Sequence, residues 1–328
     1  MTRIGINGFG RIGKYLTRLV IESKDVELLA INDLADIHQQ AHLLKYDSVH
    51  GRFDGSVVVE GTDLIINGHR IAYHQNSQPS EIPWPVGIDL VIEASGKFTR
   101  LEAAKEHLIS GVKKVIISAP SPSEGIKTIL VGINDHELLK TDLVVSNASC
   151  TTNSAGPLIH ILDKYCGIES AYITTVHSYT GDQRLHDSPH HDLRRARAGA
   201  LSIIPTSTGA AKAITKIFKN LDGRIGGAGI RVPVPNGSLT DITCVVKNPM
   251  DIAEVNALFK KYAAGDMKNI LDYTEDPIVS VDVLGNPHSS IFDAQLTSVI
   301  GNMVKVVGWY DNEAGYSNRL VDLIRLMA

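Results

Sequence analysis

The sequence predicts an α/β chain, with an N-terminal Rossmann-type doubly wound sheet followed by an α+β domain built on a mixed sheet. Three observations carry that expectation. Val/Ile-rich runs alternate with amphipathic helical stretches through the first half, a glycine-rich turn follows the first run, and strand-like runs crowd together in the second half with fewer helices between them.

In chain order, strands are expected over 3–7, 26–31, 89–93, 114–118 and 143–146, each a short apolar run bounded by Gly, Pro or Ser, the pattern of a buried parallel sheet. Helices are expected over 11–23, where Ile12, Tyr15, Leu16, Leu19 and Val20 fall on one face, and over 99–108. In the second half, strands are expected over 171–177, 227–234, 239–246, 278–283 and 303–309, with helices over 210–218 and 252–264. Residues 316–327 read as a helix with Leu320, Val321, Ile324 and Met327 on one face, expected to pack back on the first domain.

A length of 328 residues, at roughly 150 per domain, implies about two domains. Lys+Arg 32 against Asp+Glu 36 leaves a formal charge of -4, which offers no general attraction to nucleic acid. Cys150, Cys166 and Cys244 are too few and too scattered for a disulfide framework or a zinc site, so a reducing cytoplasm is expected. No secretory signal pattern is read at the start, and no apolar run reaches the ~18 residues of a membrane span.

Directly after the first strand comes Gly8-Phe9-Gly10-Arg11-Ile12-Gly13. In such a Gly-x-Gly-x-x-Gly turn the first glycine makes the bend, the second lets backbone approach a pyrophosphate, and the third lets helix pack on strand. Asp33 follows Gly13 by 20 residues at the end of the second strand, where a carboxylate accepts from a ribose hydroxyl and repels a 2'-phosphate. NAD is therefore favoured over NADP.

Cys150 follows another strand, within Ser149-Cys150-Thr151-Thr152-Asn153, and opens a helical pattern. A thiol at a helix N-terminus meets free N–H groups and the positive dipole end, which are expected to depress its pKa below ~8.5 and make it nucleophilic. Pro157 fits that helix if it falls in the first turn. Among 13 histidines, His177 is best placed as a base, ending a strand and opening a polar loop, although a structural histidine is the competing reading. His186, His190 and His191 are interrupted by Pro189, so no metal site is expected there. Arg194, Arg195 and Arg197 form a basic cluster, read as ion pairing in a loop or at a subunit contact.

Taken together, INGFGRIG (6–13), SNASCTTN (146–153), TVHSYTGDQR (175–184), PHHDLRRARAGALSIIPTSTGAAKA (189–213), IRVPVPNGS (230–238) and WYDNEAGYSNR (309–319) resemble the phosphorylating glyceraldehyde-3-phosphate dehydrogenase family over nearly the whole chain. The resemblance implies a Rossmann NAD-binding domain of residues 1–149 with 313–328 and an α+β catalytic domain of 150–312. It implies Cys150 as nucleophile and His177 as base, acting on glyceraldehyde 3-phosphate and inorganic phosphate through a hemithioacetal and a thioester. NAD would be held by Gly8, Gly10, Arg11, Ile12, Gly13, Asp33, Leu34, Ser118, Pro189, Asn312 and Tyr316. Thr180, Asp182 and Arg231 match one anion site, and Ser149, Thr151, Thr208 and Gly209 the other. A cytoplasmic homotetramer is implied, with the 178–201 stretch near a neighbour's cofactor and no membrane or nucleic acid as main partner. Two other readings stay open: an erythrose-4-phosphate dehydrogenase on the same scaffold, and a catalytically silent redox-sensing or binding protein.

The chain departs from the family pattern at three places: Ser154 stands where a second cysteine is usual, Asn76-Ser77-Gln78-Pro79 replaces an acidic-basic-Asp-Pro stretch near the adenine, and Ala314 replaces a large aromatic residue.

Overall fold

The computed structural model describes residues 1–109 and 111–328. It divides into two compact units, Met1–Ala148 with Ser317–Ala328, and Ser149–Tyr316.

The first unit opens with β1 (Thr2–Asn7), α1 (Arg11–Val20), β2 (Val26–Asn32) and α2 (Ile37–Lys45). A small pair, β3 (Tyr46–Asp47) and β4 (Gly51–Arg52), leads to β5 (Val57–Glu60), β6 (Asp63–Ile66) and β7 (His69–His74). Next come β8 (Leu90–Glu93), α3 (Leu101–Ile109), β9 (Lys114–Ile117), β10 (Lys127–Thr128) and β11 (Val144–Ser146). Nine of these strands form one sheet in the order β10-β11-β9-β8-β1-β2-β7-β6-β5. Pairing is parallel except at β5/β6 and β6/β7. β1 pairs with both β2 and β8, so the strand order reverses there and leaves a crevice at the carboxyl ends. All four residues of β8 are buried, which is why the central strands read as unbroken apolar runs.

A buried polar chain crosses those carboxyl ends. Glu93 Oε2 accepts from Asn7 Nδ2 at 2.6 Å and faces His107 Nε2 at 2.9 Å, while Oε1 accepts from the Ser95 N–H at 2.8 Å and from the Ser95 hydroxyl. Asn7 Oδ1 accepts from Asn32 Nδ2 at 2.8 Å, and Asn32 Oδ1 accepts from the Asn76 N–H at 2.9 Å.

The second unit runs α4 (Cys150–Cys166), β12 (Ile168–Ser178), β13 (Ile204–Thr206), α5 (Ala210–Ile217), β14 (Ile225–Val232) and β15 (Ser238–Val246). It continues with α6 (Ile252–Ala264), β16 (Leu271–Thr274), β17 (Ser290–Asp293), β18 (Ser298–Ile300) and β19 (Met303–Tyr310). Its mixed sheet has the order β13-β14-β12-β15-β19-β17-β16, with β18 paired to β19. On β15 the buried residues Ser238, Thr240, Ile242, Cys244 and Val246 alternate with half-buried ones, so one face is the better covered. Gly308 makes room for α4 on the sheet, since a Cβ there would sit 3.0 Å from Leu158 Cδ1 and closer still to the Ser290 hydroxyl. α7 (Ala314–Met327) begins in this unit and continues into the first, where Leu320, Leu323 and Ile324 are fully buried. There Lys114 Nζ donates to the Met327 carbonyl at 2.6 Å and Arg325 pairs with Asp25 at 2.7 Å.

Two expectations are corrected. Residues 278–283 do not form a strand: Asp282 Oδ2 accepts from the Val279 N–H at 2.8 Å and coils Ser280–Val283 into a 3-10 turn. Pro157 lies in the third turn of α4, because the helix begins at Cys150; the helix runs on although Pro157 offers no N–H to the Asn153 carbonyl. A Ser149 cap at one end and Gly167 with φ 66 at the other bound it.

Glu93→Ala should destabilise the protein by about 3 kcal/mol, because it strands several buried donors at once. The urea unfolding midpoint checks this; an unchanged midpoint would show that the chain of polar groups contributes no stability.

Candidate active site

A cavity of about 270 Å³ opens at the carboxyl ends of β1, β2 and β8, and Gly8, Gly10, Asp33, Leu34, Ser77 and Lys97 are among the residues lining it. Gly8 has φ +97, and a Cβ there would lie 2.4 Å from the Ser95 nitrogen. Gly10, by contrast, has nothing within 4 Å of where a Cβ would stand, and it caps α1 without a side-chain hydrogen bond. The start of α1 therefore opens on space that no Gly10 side chain fills, the arrangement that receives a pyrophosphate. Gly13 packs closely, its Cβ position 2.3 Å from the Gly8 carbonyl.

Asp33 Oδ2 accepts from the Phe9 N–H at 2.7 Å, and Oδ1 accepts from the Ala35 N–H and Gln40 Nε2, both at 2.9 Å. Asp33 and Leu34 both line the cavity. Arg11 Nη1 pairs with Asp47 at 2.6 Å, and Ile12 follows it in the first turn of α1. Ser118 sits just beyond β9, its N–H donating to the Glu93 carbonyl at 2.9 Å. Sequence reasoning missed Lys14, whose ammonium donates to the Phe9 carbonyl and whose pKa burial pulls down to about 8 against the opposing charge of Asp33.

In the second unit, Cys150 opens α4 and its Sγ lies 3.4 Å from His177 Nε2. His177 stands near the end of β12 and pairs in register with Arg231 of β14. Nδ1 of His177 is 2.8 Å from the Ser178 carbonyl and also touches Arg231 Nη1. Burial, helped by the Arg231 charge, pulls the imidazole from 6.5 down to about 3, so the ring is neutral. The expected depression of the Cys150 thiol is overturned. Burial raises its pKa, outweighing the Arg231 charge and the hydrogen bonds of the helix start, which do act in the expected direction.

Tyr310, also missed, sits beneath this pair. Its hydroxyl is 3.0 Å from both Thr151 Oγ1 and Thr175 Oγ1, its ring lies edge-on to His177 at 6.0 Å between centroids, and burial pushes its pKa up. Asn312 Oδ1 accepts from the Ser178 and Ser238 hydroxyls, both at 2.9 Å, which turns the amide nitrogen away as a donor for a ligand. Tyr316 is buried in the first turns of α7.

Ser149 caps α4, its hydroxyl accepting from the Thr152 N–H at 3.2 Å. Thr208 accepts from the Ala210 N–H at 3.2 Å, and Gly209 caps α5 with no side-chain hydrogen bond. Thr180 donates its N–H to Gln183 at 3.3 Å. Asp182 pairs with Arg195 at 2.7 Å, so an ionised Asp182 serves an anion site only by positioning that guanidinium. Arg197 is likewise spent on Asp187 at 2.8 Å, and Arg184 Nε donates to the Pro189 carbonyl at 3.0 Å. The His190 ring contacts Asp182 at 3.4 Å and accepts from the Asp192 N–H at 2.9 Å.

A doubly wound unit with an open glycine cradle and a carboxylate at the end of its second strand defines a dinucleotide-binding protein. Residues 2–101 match the family model "Glyceraldehyde 3-phosphate dehydrogenase, NAD binding domain", and residues 149–312 the model "Glyceraldehyde 3-phosphate dehydrogenase, C-terminal domain". The chain is 50% identical to a glyceraldehyde-3-phosphate dehydrogenase of Mycobacterium avium over 333 residues, covering 99% of this chain and 98% of that one. It is 50% identical over 329 residues to that of Geobacillus stearothermophilus and 49% identical to that of Priestia megaterium, with the same coverage. The chain belongs to the glyceraldehyde-3-phosphate dehydrogenase family and is an NAD-dependent oxidoreductase.

An imidazole that is neutral when folded but takes a proton when unfolded makes stability fall with pH, here from about 6.5 toward about 3. His177→Asn has no such proton to gain, so its unfolding midpoint should fall less steeply than the wild-type value over that window. Parallel curves would exclude His177 as a source of the acid sensitivity.

Proposed function

We propose that the protein catalyses the NAD-dependent oxidative phosphorylation of glyceraldehyde 3-phosphate to 1,3-bisphosphoglycerate, with Cys150 as nucleophile and His177 as base. The observation that carries this reading is the Sγ to Nε2 separation of 3.4 Å beside a half-buried guanidinium. Three residue types needed for thiol chemistry on a phosphorylated aldehyde meet there.

NAD, when bound, supplies the hydride acceptor. Gly8, Gly10 and the start of α1 would receive its pyrophosphate and Asp33 its adenosine ribose. Asn312, with its oxygen already committed to two hydroxyls, would donate its amide N–H to the nicotinamide carboxamide.

As Sγ bonds to the aldehyde carbon, its proton passes to His177 Nε2 and returns to the new oxyanion, giving a hemithioacetal. His177 then removes the hydroxyl proton as hydride leaves that carbon, which becomes a thioester. Inorganic phosphate attacks the thioester, the carbon–sulfur bond breaks, and the imidazolium stabilises the departing thiolate. Arg231 would bind the substrate's phosphate, and the hydroxyls of Ser149, Thr151 and Thr208 with the open start of α5 at Gly209 would bind the attacking one.

Leu185, Leu193, Leu201 and Ile203 are at least 70% exposed within one loop region, an apolar surface that supports assembly into the homotetramer the family resemblance implies. All three cysteines are free, which supports a cytoplasmic location, and no helix among the described residues is long and apolar enough to cross a membrane.

Cofactor reduction measured with glyceraldehyde 3-phosphate, with and without inorganic phosphate and against erythrose 4-phosphate, tests the assignment. Activity should require phosphate, Cys150→Ser should abolish it, and His177→Asn should lower kcat by ~10²-fold or more. Full turnover in either variant would remove that residue from the chemistry.

Asp33→Ala should narrow the preference for NAD over NADP, since it deletes the charge that repels a 2'-phosphate. The ratio of kcat/KM for the two cofactors measures this, and a wild type that prefers NADP would contradict the role given to Asp33.

A further inference from the structure

The cavity at the carboxyl ends of β1, β2 and β8 is lined by Asn7, Asn32, Asn76 and Ser95 as well as by the glycine cradle and Asp33. Glu93 is not part of that lining. It is 1% exposed, yet each of those four residues is tied to it directly or through a neighbour. Oε2 accepts from Asn7 Nδ2 at 2.6 Å, and Oε1 accepts from the Ser95 N–H at 2.8 Å. His107 Nε2 lies 2.9 Å from Oε2, and His107 is itself fully buried. Backbone register sets the side chains in a row, because Asn7 pairs with Asn32 of β2 and with Glu93 of β8.

An asparagine amide has nearly the same shape with its two ends exchanged, so its partners decide which end faces where. A carboxylate only accepts, which turns the NH2 end of Asn7 toward Glu93 and leaves Oδ1 for Asn32. That oxygen accepts from Asn32 Nδ2 at 2.8 Å, and the second amide is fixed in turn. Asn32 Nδ2 gives its other hydrogen to the Asn76 carbonyl at 3.0 Å, while Asn32 Oδ1 accepts from the Asn76 N–H at 2.9 Å. A backbone N–H only donates. Donor and acceptor therefore agree at every step from the buried carboxylate to a backbone segment of the cavity wall.

We propose that Glu93 is a positioning residue for the adenosine half of NAD: its two oxygens set the polarity of the Asn7, Asn32 and Asn76 string and place the Ser95 backbone, so the cavity wall is ordered before the cofactor arrives. The inference rests on the reading of this cavity as the site of that half. A preordered wall binds more tightly because the cofactor does not have to immobilise it. Glu93→Gln keeps the size and shape but offers one acceptor and one donor. If the acceptor stays with Ser95, an NH2 group meets the NH2 of Asn7, and the string would have to reverse against the N–H of Asn76. If the acceptor turns to Asn7, the donor meets the Ser95 N–H instead. Exchanging the two groups removes the conflict. In the double variant Asn7→Asp/Glu93→Gln, the new NH2 donates to a carboxylate whose other oxygen accepts from Asn32, and the net charge is unchanged. Its second hydrogen goes to His107 Nε2, which accepts when the ring carries its hydrogen on Nδ1.

The test measures the dissociation constants of NAD and of ADP-ribose, which lacks the nicotinamide, on the full-length protein by titration calorimetry. Glu93→Gln should weaken both about tenfold or more. Val91→Ala trims a fully buried apolar side chain on the same strand; it should lower the urea unfolding midpoint but change either constant less than about twofold. The exchanged double variant should recover most of the affinity lost in Glu93→Gln. Wild-type binding in Glu93→Gln, or a loss in Val91→Ala as large as that in Glu93→Gln, would make Glu93 merely structural and overturn the proposal. If Glu93→Gln does not fold, the double variant decides. Its folding and binding both ligands within a few-fold of wild type upholds the proposal, and failure of either overturns it. A wild-type protein that binds NAD but not ADP-ribose would instead refute the placing of the adenosine half in this cavity.

Discussion

Burial of its ring and a guanidinium against one edge pull the His177 imidazole well below its usual pKa, and the groups around the Cys150 sulfur meet at that ring. Burial pushes the Cys150 thiol up, while Arg231 and the hydrogen bonds of the helix start act against it. Arg231 and the start of α4 are the groups in place beside the sulfur that favour its charged form. Preorganised dipoles of this kind cost no rearrangement at the moment of reaction.

The dinucleotide unit solves a different problem. Its crevice exists because the strand order reverses between β1 and β8, and the polar side chains at those strand ends must be satisfied without water. Glu93 does this by collecting donors from Asn7, Ser95 and His107, and Asn32 passes the bonding on to the backbone of Asn76. The floor of the cavity is thus rigid. The carboxylate of Asp33 is held as well, by the very loop whose glycines make the cradle.

Local patterns were legible in the sequence, and long-range ones were not. The Gly8 to Gly13 turn, the spacing to Asp33 and the helix start at Cys150 are each contained in a short stretch, and the structure brings Gly8, Gly10 and Asp33 to one cavity and Cys150 to a helix start. α2 was missed because its polar sequence, IHQQAHLLK, shows little apolar periodicity; tertiary packing of Ala41 and Leu44 holds it. The run 278–283 looked like a strand because it is rich in Val and Ile, but a single side chain, Asp282, bends it. The direction of the Cys150 shift is set by burial, against the pull of a guanidinium far along the chain, and a helix-start argument contains neither. Tyr310 escaped notice because its partners, Thr151 and Thr175, are remote in sequence.

The route of the chain through its two units also bears on the order in which the protein can be made. Residues 149–316 form one unit as a continuous stretch, while the other is closed by Ser317–Ala328. A nascent chain that has just emitted residue 148 therefore carries a nine-stranded sheet region whose covering helix does not yet exist, and Leu320, Leu323 and Ile324 arrive only after the whole second unit has been translated. At ~5–20 residues per second that interval is about 10 to 30 s. During it, the apolar surface beside Lys114 and Asp25 stays uncovered on the ribosome, while the later-made unit can complete its own core first.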